Sequence, residues 1–249
     1  MDYLLRDSLH AGVAYGRFDH FRLIDTLRFL PTPGPTDGSG SKELQLGVTE
    51  GGLHAAEALL LARHFMFAQV YLHPVRRIYD LHLGEFLKAW LAPSGRFPTD
   101  VDEYLALTDA EVTTALRHAA IDAERLGHDP AQRIVNRQHF KRIWTHNRRD
   151  IETNANAGEV IYLAASAEFD ASRVRHDRYI AKGVGIDFPV ELSDRQVVSA
   201  QAHSSVIEKL PPIPIDTVFI HPDLKVKAQT WLNDHLVQIL HDGPSEDKE

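Results

Sequence analysis

The sequence predicts a mainly α-helical protein that ends in a smaller mixed α/β region, and three features carry that expectation. A run from Gly52 to Leu72 contains no proline and is dominated by alanine and leucine, the composition of a long helix. Thr108 and Glu111 have the spacing of a capping box ahead of an apolar run. Composition changes near Asp150, after which short β-branched and aromatic segments suit strands. The division expected from this is a helical part over residues 1–148 and a smaller mixed part over 149–249.

Taken in order, residues 2–14 read as a helix, with Leu4, Leu5, Leu9 and Val13 at roughly helical spacing and Gly12 and Gly16 about its end. A short helix is expected from Asp19 to Phe29, with Phe21, Ile24, Leu27 and Phe29 apolar. Pro31 to Ser41 is a loop by composition. Leu44, Leu46 and Val48 alternate with Gln45 and Gly47, as a strand would. The long helix from Gly52 should break or kink at Pro74, because proline removes a backbone donor and its ring clashes with the preceding turn. Helix then resumes to about Leu91, with further helices at 100–107, 109–126 and 130–143. Val160–Tyr162, Phe188–Leu192 and Thr217–Ile220 read as strands, and Pro211, Pro212 and Pro214 as a rigid turn. The last helix spans about Asp223 to Leu240, with Leu224, Ala228, Trp231, Leu232, Leu236 and Ile239 on its apolar face. The tail from Pro244 to Glu249 should fray.

Hydrophobic residues make up 43% and charged residues 25% of the 249, a globular balance that speaks against wholesale disorder. The net charge of -8 speaks against non-specific nucleic-acid binding, which needs surplus Lys and Arg. The sequence has no cysteine, which excludes disulfides, thiolate metal sites and a cysteine nucleophile. No apolar run approaches the roughly 20 residues that span a bilayer, and the acidic N-terminus is unlike a signal peptide. A cytoplasmic protein with no membrane partner is expected.

Candidate chemistry gathers on two segments. Tyr3 and Asp7 are four residues apart and share a helix face, as do Asp2 and Arg6. A phenol beside a carboxylate can hold a sugar hydroxyl; the same spacing equally describes an exposed, salt-bridged helix start. Arg63, Phe67 and Tyr71 form one stripe of the long helix. A guanidinium and a phenol so placed can clamp a phosphate and its sugar, or Phe67 and Tyr71 can be core with Arg63 snorkelling outward. His54, His64, His73 and His82 are nine or ten residues apart, the wrong spacing for two ligands from one helix. His128-Asp129 and His241-Asp242 are doublets beside Gly and Pro, and turn chemistry accounts for both. The basic residues Arg133, Arg137, Lys141, Arg142, Arg148 and Arg149 suit either a phosphate tail or a solvated helix face.

Two motifs carry a resemblance. Met1-Asp2-Tyr3-Leu4-Leu5-Arg6-Asp7-Ser8, followed by Gly12-Val13 and Tyr15-Gly16, resembles the segment D-x-x-D-Y-x-x-R-D of HD-domain deoxynucleoside-triphosphate triphosphohydrolases, which include dGTPase-like enzymes and the animal SAM-and-HD-domain protein. Ala62-Arg63, Met66, Val70-Tyr71 and His73-Pro74 resemble the A-R-x-x-M-x-x-x-V-Y-x-H-P helix of the bacterial members. The resemblance is close over about residues 1–95 and loose beyond. It implies that residues 1–148 are the C-terminal part of a helical HD phosphohydrolase domain. It implies further that Tyr3 and Asp7 meet a deoxyribose 3′-hydroxyl, that Arg63 contacts phosphates, and that Tyr71 stacks under the sugar where a ribose 2′-hydroxyl would clash.

The family reaction converts a deoxynucleoside triphosphate and water to deoxynucleoside and tripolyphosphate, with a divalent metal activating water and polarising phosphorus. The metal ligands implied by the resemblance (a His, a His-Asp doublet and a further Asp) all fall before Met1. The expectation is therefore a deoxynucleoside-triphosphate pocket with no metal ligands in this chain, inactive by itself, in a protein that forms homo-oligomers. The competing expectation is a metal-less nucleotide-binding or subunit-assembly module.

Overall fold

The structure, a computed structural model, describes residues 1–33, 43–179 and 186–242. Most of the predicted loop Pro31–Ser41 and the predicted tail Pro244–Glu249 lie outside the described residues. In chain order the elements are α1 (Asp2–His10), α2 (His20–Thr26), β1 (Leu27–Pro31), β2 (Leu44–Thr49), α3 (Leu53–Met66), α4 (Pro74–Trp90), α5 (Val101–Ala106), α6 (Asp109–Ile121) and α7 (His128–Val135). There follow β3 (Lys141–Thr145), α8 (Arg148–Thr153), α9 (Ala157–Phe169), β4 (Val174–Tyr179), β5 (Pro189–Glu191), β6 (Val197–Ser199), α10 (Ala200–His203), α11 (Ser205–Glu208), β7 (Ile215–Ile220) and α12 (Lys225–Asp242). The fold is mainly α with a smaller sheet content, as the sequence predicts.

The chain forms two compact units, Met1–His73 with Ala181–Ile213, and Pro74–Ile180 with Pro214–Glu249. They do not divide at residue 148. The reason is strand pairing: β3, before that position, and β4, after it, both pair with β7.

In the first unit, β1 and β2 form an antiparallel hairpin, β2 runs parallel to β5, and β5 pairs antiparallel with β6. Leu23, Val48, Leu53, Ala56, Leu60, Val190 and Ile207 make its core. The predicted helix Asp19–Phe29 stops at Thr26, because Leu27–Pro31 pairs with Leu44–Val48 and the ladder outweighs a weak helical pattern. α1, predicted to reach residue 14, ends at His10, and Gly12 just beyond it takes a φ of +68°, left-handed backbone natural to glycine. Gly16 then comes so close to α1 that a Cβ would stand 2.3 Å from the Leu4 carbonyl oxygen, so only glycine lets the chain cross there.

In the second unit, β7 is the central strand of a three-stranded antiparallel sheet and is buried along its whole length. α9 and α12 pack on it through Val160, Ile161, Ala165, Ala228 and Leu232. The apolar face predicted for the last helix is the face that packs. Val160–Tyr162 is helix rather than strand: burial at 157, 160, 161, 165 and 169 has the 3–4 period that a three-residue apolar run could not reveal. The helix predicted over 130–143 ends at Val135; Arg137 takes a φ of +56°, and Lys141–Thr145 joins the sheet as β3. The helix predicted over 109–126 ends at Ile121, and its capping box forms in full.

Two polar anchors hold this unit. Arg77 donates two hydrogen bonds to buried Asp177, Nε to Oδ2 at 2.8 Å and Nη2 to Oδ1 at 2.7 Å. Around Glu85, the Arg175 guanidinium donates to Oε1, Arg133 Nη1 stands 3.5 Å off and His82 Nδ1 lies 3.3 Å from Oε2. His82 is wholly buried and its Nε2 accepts from the Phe140 backbone N–H, which assigns the ring proton to Nδ1. Burial alone would raise the Glu85 carboxyl, but hydrogen bonds from His82 and Arg175 and the charge of Arg175 bring it down to about 2.

Candidate functional site

The first unit brings the four predicted site residues into one cluster. α1 sets Tyr3 and Asp7 one turn apart on the same face, while Leu4 and Ser8 point into the protein. Asp2 and Arg6 form their predicted surface pair at 3.1 Å. α3 carries Arg63 in its last turn, and its axis continues into a single π-helical turn, Phe67–Tyr71. The π turn has a local cause. Pro74 offers no N–H and its ring crowds the carbonyl four residues back, and Leu72 N–H reaches the Phe67 carbonyl at 2.8 Å in an i→i+5 bond. Single π turns of this kind recur at functional sites. The sequence predicts the interruption at Pro74, but not the widened turn before it.

That turn delivers Tyr71 to α1. The Tyr71 phenol donates to Asp7 Oδ2 at 2.7 Å across 64 residues of sequence. The Tyr3 ring lies 6.3 Å from the Tyr71 ring, tilted by 46°. On the other side Phe67 meets Tyr71 edge-on at 5.0 Å, and the Arg63 guanidinium lies 4.6 Å over the Phe67 ring. The order is thus phenol, carboxylate, phenol, phenyl, guanidinium. Burial and the Asp7 carboxylate push the Tyr71 hydroxyl well above the usual tyrosine range, so it stays a protonated donor at neutral pH. Tyr3 and Arg63 remain exposed.

Chemically the cluster offers acceptor capacity on Asp7 beyond the one bond from Tyr71, flat aromatic surface for a sugar, and a guanidinium held by stacking with N–H groups at its edges. Binding of a hydroxylated, anionic ligand is within its repertoire; nucleophilic or general-acid chemistry has no obvious agent among these four side chains.

The histidines have other duties. His82 is a satisfied core residue, and His54 pairs with Glu57 at 2.8 Å. His128-Asp129 opens α7 rather than sitting in a turn, and His128 Nδ1 contacts the Ala119 carbonyl at 2.7 Å. Among the described residues no group of three or more His, Asp or Glu side chains could hold a metal ion, so the residues described do not fit the divalent metal that the resemblance implies. The predicted basic run is split among α7, β3 and α8, so it makes no single helix face; Arg148 pairs with Glu152 at 2.6 Å. Among the described residues no helix is long and apolar enough to cross a membrane.

A hypothetical protein of Aquifex aeolicus is 33% identical, with a TM-score of 0.72 over 93% of this chain and 56% of that one. A phosphohydrolase from Bacteroides thetaiotaomicron shares the fold at 19% identity, with a TM-score of 0.59 over 88% of this chain and 59% of its own. Among curated sequences, the uncharacterized protein YwfO of Bacillus subtilis is 25% identical over 77% of this chain, and an uncharacterized protein of Methanocaldococcus jannaschii is 41% identical over 32%. This chain spans only 43% and 16% of the lengths of those two relatives. These similarities support a relationship to the HD superfamily without separating deoxynucleotide hydrolases from its other members. With residues 18–189 of its 249 matched, the chain belongs to the HD associated region family.

Proposed function

We propose that the Tyr3–Asp7–Arg63–Tyr71 cluster is the sugar-and-phosphate part of a deoxynucleoside-triphosphate pocket, in a protein of the HD phosphohydrolase kind that releases deoxynucleoside and tripolyphosphate. The single observation that carries this reading is the hydrogen bond from Tyr71 to Asp7. It joins two motifs far apart in sequence into one surface with a hydroxyl-binding end and, through Phe67, a cationic end. Asp7 accepts from the 3′-hydroxyl, with Tyr3 beside it. Tyr71 lies against the sugar, its ring leaving no room for a 2′-hydroxyl. Arg63 takes phosphoryl oxygens. The phosphohydrolase fold neighbour is in keeping with this.

Equilibrium binding of dGTP and GTP to the full chain, by calorimetry, tests the proposal. dGTP binding tighter than GTP is expected, with Arg63→Ala weakening both by about tenfold, the worth of one charge-assisted contact. Tyr71→Ala should erase the preference between the two sugars. An Arg63→Ala protein with unchanged dGTP affinity would sink the assignment.

A further inference from the structure

The second unit contains a polar cleft of about 300 Å³ lined by Asp129, Gln132, Arg133, Gln138, Arg173 and His221. That volume is where small-molecule pockets begin. None of these residues belongs to the Tyr71 cluster, so the cleft is a separate candidate site and does not rest on the function proposed above.

The fold builds the cleft from fixed parts. The His221 backbone N–H donates to the Arg173 carbonyl at 2.9 Å, extending the β4–β7 ladder by one step beyond Val174 and Ile220. Their side chains therefore leave the end of the sheet together. Arg133 comes from α7, and its guanidinium is held 4.6 Å over the Phe140 ring with Glu85 on one side. It is 17% exposed, so it is preorganised rather than a waving surface chain. Arg173 differs: it is exposed, and among the described residues its guanidinium makes no hydrogen bond or close ion pair, although its charge reaches the Asp170 carboxylate. Glu85 and Asp129 offset part of the charge at Arg133, and the planar fork of each Arg matches phosphoryl oxygens. Burial pushes the His221 imidazole below its usual range, and the charges of Arg173 and Arg133 push the same way against the pull of Asp223 and Asp129. The imidazole is thus a neutral donor or acceptor at pH 7 rather than a third cation. Gln132 and Gln138 add amide donors. Asp129 is the odd member: a carboxylate repels a bare phosphate but accepts from a hydroxyl.

We propose that this cleft binds a small hydroxylated phosphate ester, with Arg133 and Arg173 on the phosphoryl oxygens and Asp129 on a hydroxyl of the group that carries the phosphate. The ligand is one of nucleoside monophosphate size, matching a cleft of about 300 Å³.

The test is calorimetric titration of the full chain with adenosine monophosphate, inorganic pyrophosphate and adenosine. The monophosphate and pyrophosphate should bind and adenosine should not. Arg173→Ala, an exposed position whose loss leaves no buried group unpaired, should weaken both anions by about tenfold while thermal unfolding is unchanged. Asp129→Asn should weaken the monophosphate but tighten pyrophosphate. Failure of the wild type to bind either anion overturns the proposal, as does an Arg173→Ala protein with unaltered affinities. Anion binding abolished by Arg63→Ala and untouched by Arg173→Ala would put the anion in the Tyr71 cluster, which overturns the cleft and leaves the first proposal standing.

Discussion

Replacing Tyr71 by Phe deletes one oxygen and tests the bond that assembles the candidate site. The phenol donates to a carboxylate at 2.7 Å, a charge-assisted bond at the short end of the range. Both groups are half-buried. Hydrogen bonds to charged groups contribute about 1.5–3 kcal/mol net, and partial hydration of this pair puts it near the lower bound. Tyr71→Phe, Asp7→Ala and the double variant form a cycle whose coupling term should therefore be about 1.5 kcal/mol, read from urea unfolding at pH 7. Alkali supplies a second reading. The folded protein keeps the Tyr71 proton to higher pH than an unfolded chain, where tyrosine titrates near 10.0. The stabilisation is thus complete below pH 10 and is lost as pH rises above it. The wild type should lose stability relative to Tyr71→Phe in that window, and one of the seven tyrosines should ionise late by ultraviolet absorbance. A coupling within about 0.3 kcal/mol of zero, the scatter of independent sites, would mean that the Tyr71–Asp7 contact does not tie α1 to the π turn.

Acid should find Glu85. Its folded carboxyl sits at about 2 against 4.5 unfolded, so its contribution is present above pH 4.5 and disappears as pH falls toward 2; Glu85→Gln should flatten the pH–stability curve there. Arg77→Ala should cost about 3 kcal/mol in urea unfolding, because it strands the buried Asp177 carboxylate, and Arg77→Lys should recover only part, since an ammonium cannot make the paired bonds at 2.8 and 2.7 Å.

The elements that sequence reading places well are those whose pattern is long or whose end chemistry is local. The capping box at Thr108 and Glu111, the interruption at Pro74 and the apolar stripe of α12 each depend on residues within a few turns of one another. The elements misplaced are short. Leu27–Pro31, Lys141–Thr145 and Val160–Tyr162 each fit two periodicities, and their state was set by a partner elsewhere: β2 for the first, β7 for the second, the faces of the sheet for the third. The site divides the same way. Helical spacing alone puts Tyr3 with Asp7 and Arg63 with Phe67 and Tyr71, because a helix fixes which residues share a face.

By itself, then, the sequence determined the helical class, the helix ends written in Thr, Gly and Pro, and the two stripes that carry the candidate chemistry, since all of these follow from backbone sterics and hydrogen bonding within a few residues. Only the tertiary structure decided that the two stripes meet through Tyr71 and Asp7, that a π turn aims them, and that Arg133 and Arg173 share a cleft. Those pairings join residues 64 and 40 positions apart, and a contact at that separation is fixed by what the intervening chain buries, which local pattern does not encode.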